Sequence, residues 1–349
     1  MKLTDIMRGK WACSQEPILG PGAGRAWDNL SVFTPGVFAM DAKDGDGRYG
    51  MFYVGLSRGS GSWGIGYAQS SDLYTWKKHE SNPLIIYEDE NDYYGFDSPC
   101  VIKKEDKYHL FCEEKKFRKN LKTRVKYMLP VVMRNYLKRF YRRPEEVGRL
   151  PLSVRHAEDR YFVRFVSDDL FIWNLHEREV CLEKSEHGQF DCKGLFSPQV
   201  HEFDGKYYMF YGGSDGDVTS TGLAMSDDLA NWHRSELSPV LRPGEKGDWD
   251  QNNALIVSIL KVEDGYCGFY EGEDENNTYR IGLAYSYDLK RWEKFEANPV
   301  IQTGGRGHFS ERMACSPHVF SENGEILLFY TGHGCDMRGC CGVARFEGN

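Results

Sequence analysis

Residues 66 to 85 read GYAQSSDLYTWKKHESNPLI, and the rest of the chain keeps returning to this stretch. The frame Ser-x-Asp-Leu-x-x-Trp recurs as SDDLFIW at Ser167 to Trp173, SDDLANW at Ser226 to Trp232 and SYDLKRW at Ser286 to Trp292. In three copies a proline follows the tryptophan by seven residues (Trp76 to Pro83, Trp232 to Pro239, Trp292 to Pro299) and opens a short apolar run. The Asp-Leu steps fall at Asp72, Asp169, Asp228 and Asp288, at intervals of 97, 59 and 60 residues, so the first interval holds an insertion. Self-similarity at a period of tens of residues identifies a repeat architecture.

Upstream of each frame lie an apolar run and an aromatic run joined by a polar turn. The aromatic run has five copies: YGMFYVG at Tyr49, YHLFCEE at Tyr108, YYMFYGG at Tyr207, YCGFYEG at Tyr266 and ILLFYTG at Ile326. Asp204-Gly205, Asp264-Gly265 and Asn323-Gly324 supply hairpin chemistry between the two runs. Each unit therefore reads as strand A, hairpin, strand B, loop, strand C, the Asp-Leu-x-x-Trp turn and a strand D of the NPVI type. Four-stranded antiparallel units repeated radially make a propeller.

The expected fold is all-β, a five-bladed β-propeller in one domain: blade 1 over 27–86, blade 2 over 92–184, blade 3 over 190–242, blade 4 over 249–302 and blade 5 over 309–349 plus 10–20. The fifth unit lacks strand D. Trp11 followed by Pro17-Ile18-Leu19 repeats the missing pattern, so the N-terminal strand is expected to close the ring and leave no free edge at the seam.

Blade 2 carries the insertion, placed at 115–158. Between Lys115 and Arg143 there are 12 Lys or Arg and no acid, with Leu121, Val125, Met128, Leu129, Val132, Tyr136, Leu137 and Phe140 at roughly helical spacing. Short basic amphipathic helices are expected. The chain carries −8, so the remainder carries −20 (−8 − 12). Two readings stand: helices that dock on an anionic surface such as a membrane or acidic glycan, or cover the pocket, and a solvated basic face whose apolar stripe packs on blade 2. The net charge argues against nucleic acid as partner. No apolar run spans a bilayer and the first residues lack a signal-peptide core, which gives an expectation of a cytoplasmic protein.

No cofactor and no metal are expected. Cys335, Cys340 and Cys341 cluster with His333, but their spacing matches no zinc pattern. Asp41 to Arg48 has the look of a calcium loop, although each blade has a polar turn at this point.

The chemistry is expected where strand A begins and strand B ends, since antiparallel pairing puts both at one end of the ring. Asp28, Asp97, Asp191, Asp250 and Glu311 precede the A strands, and Arg58, Glu113, Glu114, Asp215, Glu271 and His333 follow the B strands. Trp27, Tyr93, Tyr94, Trp249 and Phe309 stand between them. Carboxylates with aromatic platforms suit a sugar, because ring faces stack on C–H surfaces while acids bond hydroxyls and move protons. An Asp repeated at one position also serves as an anchor that accepts backbone bonds. Asp97 breaks the repeat. Catalytic roles are assigned to Asp28, Asp97, Asp191 and Glu271, with Glu202 as another proton donor to weigh. Substrate contacts are assigned to Trp27, Trp249, Asp250, Arg58, Glu114, Glu311 and His333.

The five units, YYMFYGG in strand B, IGLAYSYDLKRW in strand C and the NPV segment together resemble the five-bladed propeller glycosidases of glycoside hydrolase families 32, 43, 68, 117 and 130, over nearly all the chain outside 115–158. In families 32 and 43 the resemblance implies one carboxylate from each of blades 1, 2 and 3, with Asp28 and Asp97 taking the first two roles. The third slot, just before the proline of blade 3, holds Phe196, which cannot donate a proton. Family 130 implies instead a lone blade 2 acid with phosphate or water as attacker, a role open to Asp97, with Arg58, His333 and Arg338 near the phosphate. The expectation is a glycoside hydrolase acting on an oligosaccharide or polysaccharide, with a glycoside phosphorylase or a noncatalytic glycan-binding propeller as alternatives.

Overall fold

The Asp-Leu-x-x-Trp frame is a side-chain-built turn. Asp72 Oδ1 accepts from the Tyr74 and Thr75 amides at 2.9 and 2.7 Å, and Ser70 Oγ accepts from the Leu73 amide at 2.9 Å. Leu73 is left-handed at φ 68°, and Trp76 Nε1 donates to its carbonyl at 3.0 Å. Asp169, Asp228 and Asp288 build the same turn. Backbone amides hold the Asp72, Asp228 and Asp288 carboxyls below the usual range, Asp288 against the opposing effect of burial. The repeat that reveals the fold is thus a folding device, since short polar side chains that bond their own backbone favour turns.

A computed structural model describes residues 1–41, 48–57, 63–87, 92–118 and 159–348. A short helix α1 (Leu3–Arg8) and strand β1 (Lys10–Cys13) come first. Four antiparallel units follow: β2 (Ser31–Ala39), β3 (Tyr49–Leu56), β4 (Trp63–Ser70) and β5 (Lys77–Lys78); β6 (Asp92–Lys104), β7 (Lys107–Arg118), β8 (Asp159–Ser167) and β9 (Glu179–Leu182); β10 (Gly194–Phe203), β11 (Lys206–Ser214), β12 (Thr219–Ser226) and β13 (His233–Arg234); β14 (Asn253–Val262), β15 (Gly265–Glu273), β16 (Tyr279–Ser286) and β17 (Glu293–Lys294). The fifth unit is β18 (Met313–Glu322), β19 (Glu325–His333) and β20 (Gly339–Glu347), completed by β1, with Trp11 opposite Phe346. The N-terminal strand thus pairs with the last strand of the chain, where Trp11 had placed it in the sequence.

Two expectations shift. The fourth strand is the dipeptide directly after the tryptophan (β5, β13, β17), while the NPVI segment forms single bridges, Ile65 with Ile85, Thr221 with Leu241 and Ile281 with Ile301. Residues 115–118, placed in the helical insertion, continue β7, paired with Tyr94, Gly95 and their neighbours on β6. The rest of that insertion, 119–158, lies outside the described residues, as do Arg58 and residues 42–47 of the calcium-like loop.

The first strands β2, β6, β10, β14 and β18 converge on one narrow cavity lined by Thr34, Pro35, Ser98, Pro99, Ser197, Gln199, Val257, Ser316, Pro317 and His318. The space left there is ≈ 10 Å³, about one water. Every first strand bulges at this level, and Thr34, Ser98, Ser197 and Ser316 are left-handed at φ 49–54°. Such backbone costs about 1 kcal/mol per residue in an L-amino acid, so its amides need firm partners. Between the sheets lie apolar clusters, for example Phe52, Tyr67, Leu110, Phe165 and Trp173 between the first and second units.

Candidate active site

The bulge amides show how the site is made. Thr34 N donates to Thr331 Oγ1 at 2.9 Å, Ser197 N to Glu113 Oε2 at 3.4 Å and Ser316 N to Glu271 Oε2 at 3.0 Å. In each case the acceptor sits on the second strand of the preceding unit, at one shared position: Val54, Glu113, Gly212, Glu271 and Thr331 in the five units. Val54 has no acceptor to offer Ser98 N, which instead bonds Asp97 Oδ1 at 2.7 Å. Buried Glu113 and half-buried Glu271 are thereby aimed at the axis, and Asp97 joins them from β6.

Opposite this row on the first strands stand Phe33, Asp97, Phe196, Leu255 and Cys315. Only the second unit has a carboxylate here. Phe196 is buried against Leu255 and Val257, with the Arg160 guanidinium 4.7 Å over its ring, so the third-unit slot is apolar and filled. Asp28 lies in a different slot, ahead of β2, and Phe33 is the residue of the first unit that matches Asp97.

Asp97 Oδ2 is 2.5 Å from Lys115 Nζ, and Lys115 is 3.6 Å from Glu113 Oε1. Arg160 Nη1 meets the same Glu113 oxygen at 2.5 Å. Burial pushes the Glu113 carboxyl up, Lys115 and Arg160 pull it down, and the Asp97 charge adds to the rise. Burial pushes Glu271 up to about 7; the Ser316 amide and Asn253 Nδ2 (3.2 Å) act against this, and the Asp97 charge acts with it. Asp97 therefore feels both glutamates. Beside Glu271, on the same face of β15, Glu273 is fully buried and bonded to Tyr279. Trp63 stands edge-on to Phe33 at 5.2 Å, with Lys115 Nζ 4.3 Å from its ring.

Of the residues assigned from sequence, Asp97 and Glu271 come together. Asp28, Asp191 and Asp250 face into their own units, each paired with a second-strand tyrosine and a fourth-strand cation. Asp28 meets Tyr53 at 3.2 Å and Lys78 at 2.5 Å, Asp191 meets Tyr211 at 3.1 Å and Arg234 at 2.9 Å, and Asp250 meets Tyr270 at 3.0 Å and Lys294 at 2.6 Å. They occupy the anchoring role that repetition had suggested. Glu114 serves the second unit in the same way, held bidentately by Arg178 at 2.7 and 3.0 Å.

Trp27 and Trp249 pack inside their units against Tyr53 and Tyr270 rather than standing in the cavity. A side chain on Gly55 or Gly272 would come within 2.4 Å of these rings. Glu311 accepts from Gly307 N at 2.8 Å and fixes its own loop, and exposed Glu202 lies beside the Asp204-Gly205 hairpin at the far end. His333 ends β19, its Nδ1 3.3 Å from the Met337 carbonyl, and burial lowers its pKa. Among the described residues no group of three His, Cys, Asp or Glu is placed to hold a metal; Cys341 is buried in β20 while Cys335 is exposed. Sequence reasoning left Lys115, Arg160 and Trp63 out of the site. The sequence signal for Trp63 was its place at the head of strand C, and the structure sets it level with Gly95 of the next unit.

The family model for the "Glycosyl hydrolases family 32 N-terminal domain" matches residues 199–343. A 1,2-beta-oligomannan phosphorylase of Thermoanaerobacter sp. (strain X514) is 22% identical over 303 residues, covering 83% of this chain and 81% of that protein. Among solved structures, a glycoside hydrolase superposes with a TM-score of 0.66 at 15% identity, over 96% of this chain and 92% of its own. Another, from a study of glycoside hydrolases within the family 130 mannoside phosphorylases that target beta-1,2 mannosidic linkages in Candida mannan, gives 0.63 at 16% identity, over 97% and 93%. With the matched domain, the relative and the all-β fold in agreement, this chain is a carbohydrate-active enzyme of the propeller-type glycosidase superfamily.

Proposed function

We propose that the five units are the blades of a closed five-bladed propeller, and that the enzyme hydrolyses a glycosidic bond at the mouth of its axis with Asp97 and Glu271 as the working carboxyls. The observation that carries this is the contrast between the two groups. Asp97 is ion-paired with Lys115 and bonded by the Ser98 amide, whereas desolvation lifts Glu271 to about 7. Two carboxyls whose environments differ in this way divide into acid and base. Glu271 is the proton donor to the leaving oxygen, and Asp97 activates water or attacks the anomeric carbon.

Phosphorolysis is the second reading. Asp97 is the sole carboxylate among the five matching first-strand positions, as a single-acid mechanism requires, and the relative noted above is named as a phosphorylase. Incubation with a panel of mannosides, galactosides, fructosides and furanosides, with and without inorganic phosphate, decides between them. Free reducing sugar independent of phosphate supports hydrolysis, and a sugar 1-phosphate formed only with phosphate supports phosphorolysis. Glycan binding without product from any substrate contradicts both.

A further inference from the structure

Lysine is rarely buried, and a buried ammonium needs partners that offset its desolvation. Four cation–carboxylate pairs anchor this fold, and in all four the cation lies at the outer part of its unit with its side chain 26–33% exposed: Lys78–Asp28, Arg234–Asp191, Lys294–Asp250 and Arg178–Glu114. Lys115 differs. Its side chain is 5% exposed, and its partner Asp97 faces the axis. The register explains the position: Trp63 on β4 is level with Gly95 on β6, Gly95 with Lys115 on β7, and Lys115 with Arg160 on β8. Gly95 has no side chain, which leaves Lys115 free to reach the Trp63 face at 4.3 Å. The charges then alternate as Asp97, Lys115, Glu113, Arg160, with successive contacts of 2.5, 3.6 and 2.5 Å.

We propose that Lys115 is a positioning residue for the reaction: clamped by Trp63 and Glu113, it supplies the cation in contact with Asp97 and holds that carboxylate aimed at the axis. This rests on the reading of Asp97 as the working carboxylate. Among the described residues, the groups that face Asp97 are Lys115 and Glu113 from β7, Arg160 behind Glu113 from β8, Glu271 from β15 and Cys315 from β18. Without Lys115, Asp97 sits among two glutamates with no cation in contact among the described residues. An opposite charge at this range moves carboxylate ionisation by about 1–3 pH units.

The test is the pH profile of kcat/KM for wild type, Lys115→Met and Lys115→Arg on whichever panel substrate turns over. Lys115→Met is expected to move the acid limb up by at least about one pH unit, a tenfold or greater loss at pH 5, while the alkaline limb stays and Lys115→Arg restores the wild-type limb. An equal loss at every pH, or an unmoved acid limb, overturns the proposal. If Lys115→Met does not yield folded protein, Lys115→Gln, which keeps a donor and drops the charge, carries the same comparison. Asp97→Asn separates the two levels: turnover abolished there with an unmoved limb in the Lys115 variants removes only the role of Lys115, whereas turnover retained in Asp97→Asn removes the reading of the site.

Discussion

Replacing Asp191 with Ala is expected to damage the fold and spare the chemistry. Asp191 is 0% exposed and bonds Tyr211 and Arg234. Removing one partner of a buried pair costs about 3–5 kcal/mol, and the orphaned tyrosine hydroxyl adds about 1–3. Arg234 is 31% exposed and can turn to water, which offsets part of the first figure. The net expectation is about 3–4 kcal/mol. Unfolding entropy of about 2.1 cal/mol/K per residue over 349 residues is about 0.7 kcal/mol/K, so the midpoint drops by about 4–6 °C. Differential scanning calorimetry at neutral pH reads this, and kcat at 25 °C on the best substrate is expected to stay within about threefold. An unchanged midpoint with kcat down a thousandfold would refute the anchor assignment and return Asp191 to the chemistry.

Glu271→Gln tests the donor twice. Activity is expected to fall by about 10²–10⁴ and to lose its alkaline limb near pH 7. A carboxyl whose folded pKa exceeds its unfolded one costs stability as pH rises from about 4.5 to about 7, worth about 3 kcal/mol in full. The variant should therefore melt about 4 °C above wild type at pH 8 and no higher than wild type at pH 4, as read in paired melts. At the seam, Trp11→Ala removes a ring packed at 5.4 Å on Phe269 and 5.3 Å on Phe346. For a half-buried tryptophan the cost is about 2–3 kcal/mol, a drop of about 3–4 °C by calorimetry, with kcat unchanged.

The architecture was legible because its marker is local. Asp72, Ser70 and Trp76 build their turn from side-chain bonds within seven residues, so each copy carries the whole signal. Even the closing strand announced itself through Trp11. The site was legible only where a residue departed from the repeat. Asp97 stood out by breaking the repeat, while Asp28 and Asp191 were drawn in by their place ahead of the first strands. A bulge lies between that place and the axis, so the place says nothing about facing. Whether a carboxylate meets the axis or an arginine four strands out is decided by pairing register, and register across units is not a sequence-local quantity. Trp27 and Trp63 show the same limit. Both are tryptophans beside the first unit, but glycines at 55 and 66 admit one into the sheet stack, and the parallel contact with Gly95 sets the other beside Lys115. Lys115 was read with the basic run that follows it, because charge alone cannot tell the last inward residues of a strand from an insertion.

The most direct test of the account is turnover by Asp97→Asn beside Asp191→Asn, on the same substrate and with both variants shown folded by calorimetry. The account predicts a loss of at least about 10³ in kcat for Asp97→Asn and near wild-type turnover for Asp191→Asn. Near wild-type turnover in Asp97→Asn, with or without loss in Asp191→Asn, would contradict it.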